Sequence, residues 1–107
     1  MYAPTMQGPG PNLDQSLDVR VGAESALDGG WSYEIRVGRG TGERTLSVTL
    51  GWRDHDLWSG GASPPSRVIE QVVRYLLERR VALPESFDAA RARYLAPGID
   101  AELRETL

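Results

Sequence analysis

Apolar and polar residues alternate along three successive stretches of the chain. In the first, Leu17, Val19 and Val21 alternate with charged residues, which is the period of a β-strand that buries one face. Residues 31–37 and 45–52 repeat the pattern, and glycine-containing connections join the three stretches. The alternation therefore predicts an α+β fold built on a three-stranded antiparallel meander, with its first strand over residues 16–23.

A helix after Ser63 is predicted to cover the apolar face of this meander. Its apolar positions recur at helical spacing and are Val68, Ile69, Val72, Val73, Leu76 and Leu77,. We expect Ser63 to be the N-cap, with Pro64 and Pro65 in the first turn and Pro84 beyond the end. The sheet residues expected against this helix are Trp31, Ile35, Val48 and Leu50.

Shorter helical segments are predicted on either side of the main helix. Asp54 is expected to cap a single turn that carries Leu57 and Trp58, and two C-terminal helices are expected over residues 88–95 and 99–107,. Most tryptophans and tyrosines are predicted to lie in the core, Trp52 through its place in the third strand and Tyr94 on its helix. Trp58 and Tyr75 are the aromatic residues expected to reach a surface groove.

Composition narrows the classes of protein that remain. Residues 1–15 are rich in proline and glycine and are predicted to be a disordered tail before one globular domain over residues 16–107,. No apolar run is long enough for a membrane span or a signal peptide, so a cytoplasmic location without membrane association is expected. The chain has no Cys, which excludes disulfides and thiolate chemistry,. Its formal net charge of −3 is evenly spread, which disfavours nucleic-acid binding,.

Two motifs resemble functional sites, a phosphate-binding loop and a metal site, but their sequence context disfavours both interpretations. The glycine-rich stretch 38–45 lacks a lysine and precedes a strand, so it is predicted to be a hairpin connection and not a phosphate loop,. His55 lies between Asp54 and Asp56, but adjacent side chains diverge, and no second His exists to complete a metal site,. We therefore expect no metal, no cofactor and no catalytic residue.

Five arginines form a candidate interaction surface on the helices. Arg79 and Arg80 close the main helix, where cations also compensate the helix dipole,. With Arg74, Arg91 and Arg93 they could instead contact phosphate groups, which would make the protein a nucleic-acid-associated one.

Several segments together resemble a family of small uncharacterised prokaryotic proteins. The family has a β-hairpin followed by an "F-L-L-E-R" helix and a short "F-D … R-Y-F-P" helix. Tyr75 and Leu95 stand where the family has phenylalanines, and the resemblance implies this order of elements but no catalytic residue. The segments that carry it are Tyr33-Glu34-Ile35-Arg36-Val37, Ser47-Val48-Thr49-Leu50, Tyr75-Leu76-Leu77-Glu78-Arg79, Ser86-Phe87-Asp88, Arg93-Tyr94-Leu95 and Leu103-Arg104.

The sequence thus favours a non-catalytic protein-interaction module. It is expected to act through an unpaired sheet edge or through the C-terminal helices, and a homodimer is one form of it. Two alternatives stay open: a nucleic-acid-associated protein that uses the five arginines, and a small-ligand or metal-binding protein built around His55.

Overall fold

The computed structural model describes residues 17–39 and 42–107, and the predicted disordered tail lies outside these ranges. Helices and strands are both present, which confirms the α+β class. The strands are β1 (Leu17–Leu27), β2 (Gly30–Arg39), β3 (Gly42–Gly51) and β4 (Ser86–Asp88). The helices are α1 (Trp52–Ser59), α2 (Pro65–Glu78), α3 (Ala92–Leu95) and α4 (Ile99–Thr106), with a 3₁₀ turn at Ala89–Arg91.

The strands form one sheet in the order β1-β2-β3-β4. The first three pair antiparallel, as the alternation predicts, and β2 and β3 form a hairpin in which Arg39 is opposite Gly42. The three-stranded description is wrong in one respect, because β4 adds to β3 in parallel and places Phe87 beside Val48. Residue 88 ends this strand and is also the N-cap of the 3₁₀ turn, so the helix predicted over residues 88–95 is present as that turn followed by α3. The first strand is also longer than predicted and runs to Leu27.

Both predicted N-caps before the sheet-covering helices are wrong. Helix α1 starts at Trp52 directly after β3, and its N-cap position is Gly51, so Asp54 lies inside the first turn. Helix α2 starts at Pro65 with Pro64 in the extended N-cap position. The fixed φ of proline suits the entry to a helix, and this explains the start without a capping side chain.

One continuous core lies between the sheet and the helices, and α2 packs across β1, β2 and β3. Ile35, Val48 and Leu50 are buried in this core, as predicted, and Trp31 is half-buried at its margin. Among the described residues, no helix is long and apolar enough to cross a membrane.

Three aromatic residues lie elsewhere than predicted. Trp52 is 59% exposed because α1 begins at it, which removes it from the strand register, and Tyr94 is 85% exposed on the short α3. Tyr75 lines a groove between α2 and α4, as predicted, whereas Trp58, also expected at a groove, is buried. Trp58 instead turns its indole N–H toward Asp100, which is the hydrogen bond that a buried tryptophan requires,.

Candidate functional site

The outer edge of β1 is the longest stretch of strand that lacks a neighbour in the described part of the chain. β1 is the first strand of the sheet and pairs with β2 alone among the four. Its first five residues, 17–21, run in unbroken register with Ile35 to Arg39 of β2. An edge of this kind presents a row of backbone N–H and C=O groups that can pair with another strand.

The two faces of this five-residue segment differ sharply. Val19 is buried against the core, and Leu17 and Val21 are half-buried beside it. Asp18 and Arg20 point to the uncovered face of the sheet, where Arg20 Nε donates to Asp18 Oδ2 at 2.9 Å. Their side chains are 56% and 74% exposed, so the ion pair is solvated and contributes little to stability,.

A β-bulge ends the flat part of the edge. The register of β1 on β2 shifts between Val21 and Glu24 and resumes with Glu24 opposite Tyr33. There the Tyr33 hydroxyl donates to Glu24 Oε1. Burial of the phenol, followed by this hydrogen bond and the charge of Glu24, raises the pKa of Tyr33 above its ordinary value of 10.0. Because a bulge bends the strand and increases its twist, straight pairing is limited to the segment before it.

Helix α2 runs alongside this edge and brings Arg74 to it. Arg74 Nη1 donates to the Leu17 carbonyl at 3.3 Å, and its Nε donates to Glu70 Oε2 at 3.2 Å. Of the five predicted interaction arginines, Arg74 is thus the one that lies at the β1 edge.

A small groove between α2 and α4 contains a second predicted arginine. Its volume is ≈ 140 Å³, and its lining includes Arg74, Arg79, Glu78 and Glu102. The Arg79 guanidinium lies 3.5 Å from the centroid of the Tyr75 ring, which is a cation–π contact. Two carboxylates accompany the two guanidinium groups here, so the groove does not offer the excess positive charge that a polyanion needs.

Arg93 joins three helices in a network of charges. Its Nη2 donates to Asp54 Oδ1 at 2.8 Å and its Nε to Asp100 Oδ1 at 3.1 Å, and the guanidinium lies 5.0 Å from the centroid of the Trp58 ring. Burial opposes the charge of Arg93, but the hydrogen bonds and charges of Asp54 and Asp100 outweigh it, so the pKa of Arg93 is raised. Arg80 and Arg91, the remaining two, are exposed.

The residues around His55 diverge, as their spacing implies. His55 Nε2 is 2.6 Å from the Ser63 carbonyl oxygen, and the ring meets Trp31 edge-on with 5.3 Å between centroids. Asp54 turns away to Arg93. Within residues 17–39 and 42–107, no group of three His, Cys, Asp or Glu side chains could hold a metal ion.

The uncovered face of the sheet carries a groove of ≈ 470 Å³. Hydroxyl groups dominate its lining, and two carboxylates, Glu34 and Glu85, stand among them. The alternation in the sequence predicts a polar face with small side chains here, and the groove is a shallow, polar surface of that kind. Its lining includes Ser25, Ser32, Thr45 and Ser47.

Comparison with known proteins adds no relative to this geometry. No protein-family model, no curated protein and no solved structure matches the chain. The resemblance to the family with the "F-L-L-E-R" helix therefore stays a prediction. The β1 edge is therefore the candidate site, because no other strand of the described chain pairs with it. In the sequence it is marked by two charges of opposite sign, Asp18 and Arg20, that alternate with apolar residues.

Proposed function

We propose that the protein is a non-catalytic protein-interaction module that binds its partner by adding a strand to the outer edge of β1. The observation that carries this proposal is the unpaired, unbroken register of residues 17–21 at the end of the sheet. In strand addition, backbone hydrogen bonds supply affinity and alternate side chains supply specificity.

The side chains of the segment fit both parts of that mechanism. Leu17 and Val21 are only half-buried, so an added strand could cover the rest of their apolar surface and stabilise the complex. Asp18 and Arg20 stand on the other face, exposed and of opposite sign, where they could select a partner strand by its charges.

The alternative functions have less support from the geometry. His55 is oriented by the Ser63 carbonyl and not toward Asp54 or Asp56, which disfavours a metal or acid–base centre. Arg74 and Arg93 have carboxylate partners, and Arg79 stacks on Tyr75. These three arginines therefore offer less uncompensated charge to a nucleic acid than the sequence implies.

A photo-crosslinking amino acid placed at Arg20 tests the proposal in living cells. Its matched control is the same amino acid at Ser47, which is also exposed on the uncovered face but lies on the central strand β3. We expect a discrete protein adduct from position 20 and none from position 47, with mass spectrometry mapping the linked peptide to β1. Equal adducts from both positions, or no adduct from position 20, would contradict binding at this edge.

A further inference from the structure

We infer that the strand added to β1 is the β1 strand of a second copy of this chain, paired antiparallel about a two-fold axis at Val19. This inference rests on the proposed function and names its partner. It is carried by the order of residues in the segment Leu17-Asp18-Val19-Arg20-Val21, which is complementary to itself when reversed.

The register follows from which residues stand opposite one another. When a strand pairs antiparallel with its own copy about Val19, Leu17 lies opposite Val21 of the second copy, and Val19 lies opposite its own equivalent. Asp18 lies opposite Arg20 of the second copy, and the symmetry repeats this pair. Every apolar residue thus meets an apolar residue, and every charge meets its opposite, which is the arrangement that stabilises cross-strand pairs.

The neighbouring registers place either two like charges or an apolar and a charged side chain opposite each other. Centring the pair on Asp18 sets two carboxylates opposite each other, and centring it on Arg20 sets two guanidinium groups opposite each other; both arrangements are repulsive. A slip by one residue places an apolar side chain opposite a charged one, because the side chains alternate with a period of two. Centring the pair on Leu17 or on Val21 leaves a single residue of the segment opposite its equivalent. The pairing at Val19 is therefore the one symmetric register that pairs all five residues and also matches both faces.

The packing around the edge is compatible with this dimer. The two-fold axis is perpendicular to the sheet, so the covered faces of both copies lie on the same side and the four strands of each continue into one sheet. Leu17 and Val21 flank the core cluster of each copy, so pairing extends the apolar layer across the interface. The Leu17 carbonyl accepts from Arg74 at 3.3 Å, and because a carbonyl oxygen has two lone pairs it can also accept from the second copy.

The ion pair within one copy becomes part of the interface. In the single chain, Arg20 Nε donates to Asp18 Oδ2 two residues away along the same strand. In the dimer, each of these side chains also faces an opposite charge across the strand boundary. A short interface of this size is expected to bind weakly, in the micromolar range on the order of 1–100 μM, so the dimer should depend on concentration.

Charge reversal at the two exposed positions tests the register. Sedimentation velocity would be measured from about 5 to 300 μM for the natural chain, for Asp18→Arg, for Arg20→Asp and for the double variant. We expect the natural chain to reach twice its mass of 11.8 kDa at the upper concentrations. Each single variant should weaken the dimer about tenfold or more, because both symmetric pairs become repulsive.

Two restoring experiments separate the register from a general effect of charge. The double variant exchanges the two charges and should dimerise within about twofold of the natural chain. An equimolar mixture of the two single variants should form a heterodimer, because all the charges opposite each other are then of opposite sign. Both positions are exposed, so each variant should keep the fold, and circular dichroism is the measurement that checks this.

The outcomes decide between this inference and the proposed function. A natural chain that stays monomeric to 300 μM, single variants that dimerise like it, or a mixture that does not associate would each overturn the self-pairing. If the crosslinker at Arg20 then captures a different protein through β1, strand addition stands and only the identity of the partner is wrong. If it captures nothing, both fail.

Discussion

The two edges of the sheet are built in opposite ways. β4 is three residues long and ends at Asp88, because Asp88 Oδ1 accepts from the Ala90 N–H at 2.9 Å and caps the 3₁₀ turn that follows. β1 is eleven residues long and pairs on one side only within the described chain. Short edge strands that turn away into helices are a common protection against unwanted pairing.

This difference supports the proposal that the molecule associates through the β1 edge. After the β4 edge, the chain continues into α3 and α4, and the ion pairs of Arg93 connect these helices to α1. At the β1 edge, a bulge and one exposed ion pair are the features that limit pairing,. The β4 side therefore stabilises the fold, and the β1 side is the one that we propose selects a partner. Substitutions should divide along the same line.

Replacing Phe87 by Ala should have the largest effect on stability. Phe87 is 6% exposed, lies in the middle of β4 and stands beside Val48. Removing a buried aromatic ring leaves a cavity and should lower the free energy of unfolding by about 3–4 kcal/mol, as measured by urea denaturation. Ser86→Ala, on the exposed face of the same strand, is the control and should change it by less than about 0.5 kcal/mol. Similar values for the two variants would show that the core does not hold β4.

Arg93→Ala should have the next largest effect on the free energy of unfolding, again on the β4 side. The side chains of Arg93 and Asp54 are 27% and 15% exposed, so the pair lies between a solvated and a fully buried one. Its removal leaves Asp54 without that partner and should lower the free energy of unfolding by about 2 kcal/mol. Arg91→Ala removes an exposed guanidinium two residues earlier and serves as the control. An equal loss from both variants would assign the effect to net charge and not to the network.

Much of this architecture follows from local patterns in the chain. Period-two alternation predicted β1, β2 and β3, and helical spacing predicted α2, because in these elements a long apolar row must face one core. The fourth strand has no such row. Ser86-Phe87-Asp88 contains one apolar residue, and only its contact with β3 makes it a strand.

The remaining differences arise where tertiary contacts determine the outcome. Asp54 precedes an apolar pair and has the features of a helix cap, yet α1 starts two residues earlier and Asp54 binds Arg93, which is 39 residues away. Trp52 follows the alternation of β3, but its exposure results from the start of α1. The polar face and the open edge of the sheet were predictable, whereas the bulge that limits the edge to residues 17–21 was not.

Tyr33→Phe, on the β1 side, should have a smaller effect on the free energy of unfolding, and this effect should decrease as the pH rises. Tyr33 donates to Glu24 across the ladder from β2 to β1, and losing one such bond should lower the free energy of unfolding by about 1 kcal/mol at pH 8. Folding raises the pKa of Tyr33 above 10.0, so the folded state holds this proton more tightly than the unfolded chain does. The stabilisation is complete below pH 10 and is lost above it, at up to about 1.4 kcal/mol per pH unit.

The chain contains no lysine, so no lysine ammonium group titrates in the alkaline range in which this effect is measured. Urea denaturation at pH 8, 10 and 11 should show the natural chain losing its advantage over Tyr33→Phe as the pH rises. Tyr94→Phe, at a phenol that is 85% exposed, should track the natural chain throughout. A difference between the natural chain and Tyr33→Phe that stays constant from pH 8 to pH 11 would show that folding does not raise the pKa of Tyr33.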